Sequence, residues 1–131
     1  MNLEKEECLN RLEKLYQNSE TGMTQEKYLE LMEQLGKEPN PEEMPPSIDD
    51  FPELVVDAVT TFNLLGDRVY PDVGYTGKDY SNLDVFLKLY QVEDTEFFLY
   101  ILNWLDSRAI KRSQEQLKKE HEKLKRKSRG K

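Results

Sequence analysis

The sequence predicts an all-α fold of about five helices. It has a compact helical core at residues 50–110, an N-terminal helical hairpin and a long basic C-terminal helix. Three observations lead there. Apolar residues recur at spacings of three, four and seven, the period of a helix face. Glycine, proline and short polar residues punctuate these stretches where helices start and stop. Cations also gather at one end of the chain.

Residues 3–18 place Cys8, Leu12 and Leu15 on one face with Leu9 and Tyr16 beside them, which predicts an amphipathic helix. Gly22 breaks it, and Thr24 is the expected N-cap of a second helix with Tyr28, Leu31, Met32 and Leu35 on its inner face. Gly36 is its expected stop. These two helices form the hairpin expected at residues 1–36. Pro39, Pro41, Pro45 and Pro46 then predict an extended connector over 37–49. Asp50 and Glu53 read as a capping box, with Pro52 in the tolerant first turn. The helix they open carries Leu54, Val55, Ala58, Val59, Phe62 and Leu65 and stops at Gly66.

A loop, "VYPDVGYTGKDYSNLD", separates this helix from the next. Gly74 and Gly77 permit tight turns, and Val69, Tyr70, Tyr75 and Tyr80 are expected to pack it down. Ser81 and Asp84 read as a further capping box, before a helix with Leu83, Phe86, Leu87 and Tyr90 on one face. Asp94 or Thr95 caps the last helix, whose stripe is Phe98, Ile101, Leu102, Leu105 and Ala109. The helices at 50–65, 82–92 and 95–110 build the expected core. Beyond Arg108 the stripe thins to Ile110, Leu117 and Leu124, too sparse for a coiled coil. The segment 111–131 is expected to be a helical tail, frayed at "KSRGK".

The net charge of −7 conceals a division. Residues 111–131 hold ten Lys or Arg against three Glu, a local charge of +7. The other 110 residues hold nine against 23 Asp or Glu, a charge of −14. No apolar run approaches the roughly 18 residues of a membrane span, and the acidic N-terminus lacks the apolar core of a secretory signal. One cysteine supplies neither an intramolecular disulfide nor a zinc site. A soluble, intracellular and cytoplasmic protein is the expectation.

No catalytic constellation emerges, and no cofactor is expected. "GYTGKD" departs from a phosphate-binding loop because Asp79 stands where that loop needs a hydroxyl for Mg²⁺. His121 lies between Glu120 and Glu122 in the charged tail, without partners for metal binding or base catalysis. The glutamates around Cys8 disfavour a thiolate. Asp49 and Asp50 read as caps. The loop and tail remain as a candidate protein-interaction surface: Tyr75, Lys78, Asp79 and Tyr80, with Lys111, Arg112, Lys118, Lys119, Lys123 and Arg126. Lys78 is expected to be dispensable for folding. The tail could bind phosphates, but it offers no aromatic for base stacking and the acidic body repels a polyanion, so nucleic acid is the less favoured partner.

Residues 44–94 resemble small tailed-phage proteins of the tail assembly chaperone type. Pro45, Pro46, Phe51, Pro52, Gly74, Gly77, Asp79, Tyr80, Leu83 and Tyr90 carry the resemblance. It implies a non-enzymatic helper that coats a phage structural protein, the tape measure above all, and hands it to the polymerising tail tube. A small virion tail or baseplate component and a nucleic-acid-binding regulator acting through the tail are the alternatives, and a second copy of the chain is among the candidate partners.

Overall fold

The computed structural model describes residues 3–129, apart from the Leu3 side chain. The chain forms two compact units, the first ending at Val56 and the second beginning at Asp57. Segment 37–49 belongs with the N-terminal helices, and residues from 111 onward continue the last helix.

In the first unit, α1 spans Leu3–Thr21 and α2 spans Gln25–Leu35. Gly22 takes φ +78° between them, and the Thr24 hydroxyl accepts the Lys27 N–H at 3.2 Å as the expected N-cap. Gly36, at φ +65°, closes α2 in the left-handed conformation that suits glycine. Leu12 and Tyr28 are buried, but Leu31 and Leu35 are exposed, contrary to the expected inner face. Tyr28 instead ties α2 to the proline-rich segment. The Tyr28 hydroxyl accepts the Asn40 N–H at 3.0 Å and donates to the Asn40 carbonyl at 3.3 Å. One buried phenol thereby satisfies a backbone donor and acceptor that prolines on either side cannot serve.

The cap expected at Asp50 moves upstream. Ser47 caps a single 3-10 turn at Ile48–Asp50, and the Asp50 carboxylate returns to the Ser47 N–H at 3.0 Å. Pro52 is the reason: it drives Phe51 out of the helical region, to ψ 155°, so Asp50 cannot lead directly into the next helix. That helix, α3, begins at Glu53 and ends at Leu64.

The loop expected after α3 is a β-hairpin, so the fold is mostly helical rather than all-α. Strand β1, Asp67–Tyr70, pairs antiparallel with β2, Gly74–Lys78. Between them the Val73 N–H reaches the Tyr70 carbonyl at 3.3 Å. Pro71 and Asp72 fill the central positions, Asp72 at φ +66°, the pattern of a type II turn. β-Branched and aromatic residues on both sides of that turn favour strand.

Helix α4, Leu83–Leu89, buries no residue completely. It follows Asn82 rather than the Ser81–Asp84 box, because Ser81 gives both its N–H and its hydroxyl to the Asp79 carboxylate. The face expected to pack, Leu83, Phe86, Leu87 and Tyr90, is half-buried and the rest of the helix exposed, so α4 contributes to the expected three-helix core only in part. In the second unit Ala58, Thr61 and Leu65 are buried, as are Phe98, Ile101, Leu102 and Leu105. The last four belong to α5, which runs unbroken from Thr95 to Arg129 and is about 52 Å long at 1.5 Å per residue. The Asp94 carboxylate accepts the Phe97 N–H as its cap. The fraying expected at the end is not observed through Arg129, while Gly130 and Lys131 lie outside the described residues.

Leu102→Ala should lower unfolding stability by about 2–5 kcal/mol, the cost of a cavity at a fully buried site. Leu89→Ala, at a position 66% exposed, should change it by no more than about 0.5 kcal/mol. Denaturant midpoints at constant m-value check both.

Candidate functional site

Asp106 lies one helical turn beyond Leu102, on the same stripe of α5 that carries the apolar core. A carboxylate at such a position has to be compensated. The hairpin supplies the compensation. The Tyr75 hydroxyl donates to Oδ1 at 2.5 Å, the Tyr80 hydroxyl to Oδ2 at 2.6 Å, and the Lys78 N–H to Oδ2 at 3.1 Å. These are charge-assisted bonds, the phenolic ones short as O–H···O⁻ contacts are.

Glycine makes the approach possible. A Cβ on Gly77, which has φ +126°, would stand 3.2 Å from Asp106 Oδ2. At the other end of β2, a Cβ on Gly74 would stand 2.9 Å from Leu117 Cδ1. The Tyr75 N–H also reaches the Ser113 hydroxyl at 3.4 Å. Strand β2 thus lies along α5 from Asp106 to Leu117 and braces about three turns of it.

Lys78, expected at the surface, is 8% exposed. Its ammonium is 2.6 Å from Asp67 Oδ1, donates to the Leu65 carbonyl at 3.2 Å and sits 4.6 Å from the centroid of the Phe62 ring. The flexible four-carbon stem reaches inward because an ion pair, a carbonyl and an aromatic face wait there. Lys78 is therefore a structural residue, and the expectation that it is dispensable for folding is corrected.

Burial pushes the Asp106 carboxyl up, but the Tyr75 and Tyr80 phenols, the Lys78 N–H and the Lys78 charge outweigh it. The net shift is downward. Both phenols are pushed above their ordinary value by burial, then by their hydrogen bonds to Asp106 and its negative charge. These shifts move all three groups away from neutrality, whereas proton transfer near pH 7 needs groups tuned toward it. The cluster is chemically a fixed charge that accepts three hydrogen bonds. It works as a clamp.

The ten sequence-predicted residues therefore separate. Tyr75, Lys78 and Tyr80 converge on or beside Asp106, their polar atoms turned inward. Asp79 is exposed, and its carboxylate is drawn below its usual range chiefly by the Ser81 hydroxyl. Lys111, Arg112, Lys118, Lys119, Lys123 and Arg126 are exposed along α5. Every described residue beyond Leu117 is exposed, so the distal third of α5 is an uncovered arm. Sequence reasoning missed Asp106, although its spacing of four from Leu102 was the signal: an acid on an apolar stripe needs a partner.

Among the described residues, no group of three or more His, Cys, Asp or Glu side chains is placed to hold a metal ion, and no helix is long and apolar enough to cross a membrane. The first unit has an open cleft of about 550 Å³ lined by Leu15, Met23, Thr24, Pro46 and Ile48, whose one ionisable side chain is Glu26.

Asp106→Ala should cost about 3 kcal/mol or more, since it strands two phenols and an amide. Lys78→Ala should cost about 1–3 kcal/mol for the unmade ion pair and carbonyl bond. Stability should also depend on pH at both ends. The depressed Asp106 value contributes stability above the ordinary carboxylate pKa of about 3.9, lost as pH falls through the folded value. The raised tyrosine values contribute stability in full below about pH 10, lost as pH rises beyond it. Urea midpoints measured from pH 3 to 11 should show both limbs, and Asp106→Asn should flatten them.

Comparison with protein-family models, with curated proteins and with solved structures returns no match for this chain.

Proposed function

We propose that this protein is a non-catalytic helper of phage tail assembly, which binds a tape-measure or other tail protein and keeps it competent for assembly. The observation that carries the protein-binding part is the exposed arm: a cationic helix that continues from a hairpin-braced base. The tip of that hairpin also leaves Val69, Tyr70 and Val73 exposed, apolar side chains suited to a partner's helix face. The tail-assembly part rests on the resemblance over residues 44–94.

In this reading the arm attracts an acidic partner over a distance, and the apolar tip holds it at contact. The partner would be long and amphipathic, as a tape measure is expected to be, and the encounter would take place in the host cytoplasm.

Partners recovered from infected cells with the full chain, and identified by mass spectrometry, should be led by a tail structural protein. Val69→Asp with Val73→Asp should release it without lowering the melting temperature by more than a few degrees. Removing residues 118–131 should slow association. A mobility shift of random duplex or single-stranded nucleic acid at near-physiological salt, lost on that truncation, would instead favour the regulator. Its log affinity should then fall linearly and steeply with log salt.

A further inference from the structure

We propose that the free arm of α5 docks in trans on α2 of a second copy of this chain. Lys119, Lys123 and Arg126 of one copy would meet Glu26, Glu30 and Glu33 of another. The inference does not rest on the tail-assembly reading.

Both sets stand at i, i+4 and i+7 on their helices, so each forms one straight stripe about 10.5 Å long. All six side chains are exposed. On α2 the one cation, Lys27, falls about 100° from Glu26 and about 120° from Glu33 but stands one turn before Glu30, so it flanks the acidic stripe rather than lying on it. Leu29 lies beside it and is exposed, an apolar contact for the stems of the lysines. On the arm Glu115 and Glu122 stand one turn before Lys119 and Arg126, but residues 118–129 still hold seven Lys or Arg against two Glu. The larger charge pattern points the same way. The unit ending at Val56 holds 14 Asp or Glu against five Lys or Arg, a net −9, while residues 111–131 carry +7. That unit repels a polyanion and attracts the arm. Every copy carries both halves of the contact.

Sedimentation velocity of the full chain over a range of protein concentrations tests the idea. Average mass should rise with concentration at 0.1 M salt, where charges act over about 10 Å, and return to monomer at 1 M, where the range is about 3 Å. Reversing the arm stripe (Lys119→Glu, Lys123→Glu, Arg126→Glu) should give a monomer at both salts. Reversing the acidic stripe (Glu26→Lys, Glu30→Lys, Glu33→Lys) should do the same. Mixing the two reversed proteins should restore association, because the acidic arm of one now faces the basic α2 of the other. That recovery also shows that both variants are folded. The neutralised arm (Lys119→Gln, Lys123→Gln, Arg126→Gln) offers a milder loss with unchanged helix content by circular dichroism. A monomer at low salt at every concentration would overturn the proposal, as would association that survives either reversal or a mixture that stays monomeric.

Discussion

The second unit depends on one buried carboxylate. Asp106 interrupts the apolar stripe of α5, where it would be costly without partners, and it receives three hydrogen bonds from a single hairpin. Two come from phenols and one from the backbone of β2, so the side chains and the strand itself are fixed together. Tyr75, Lys78 and Tyr80 are useful only if β2 runs where it does, and β2 can run there only because Gly77 lets the backbone close on Asp106. The hairpin and the helix therefore specify each other's position. This is what buried polar networks contribute when every member is satisfied. No buried side-chain nitrogen or oxygen among the described residues lacks a partner.

Lys78 extends that network on its other side. Its backbone holds Asp106, while its ammonium ties the Leu65 carbonyl and Asp67, at the end of α3 and the start of β1. One residue thus links the segments entering and leaving the hairpin. The Asp79 N–H closes the open end of the ladder on the Gly66 carbonyl at 2.8 Å. A two-stranded hairpin is marginal by itself. Here its stability comes from what it grips.

This arrangement explains how one helix can be both core and arm. From Phe98 to Leu105, α5 is held by burial, and from Asp106 to Leu117 by the hairpin. Beyond Leu117 nothing covers it, and helix continuity relies on propensity and the charge pattern of a lysine- and glutamate-rich sequence. The arm's direction is consequently set by a clamp several turns back.

Much of the fold was legible in the residues themselves. The boundaries of α2 follow from Thr24 and Gly36, whose caps act through their own neighbours, and the stripe of α5 follows from its periodicity. The hairpin glycines do take positive φ, but inside β2, while the tight turn expected of them is made by Pro71 and Asp72. The hairpin was not legible as strand, because four- and five-residue strands with one pairing partner leave too short an alternation to stand out between helices. The cap at Asp50 went astray because Pro52 acts on Phe51 rather than on the helix it precedes. Lys78 and Asp106 mark the limit most clearly. A lysine in a Gly-rich stretch and an aspartate on an apolar stripe each look anomalous alone, and the distance that reconciles them spans 28 residues of chain. Local chemistry determined where helices begin and end and how charge is divided. Only tertiary structure decided which charged and phenolic groups turn inward, because burial of a polar group depends on a partner that sequence proximity does not supply.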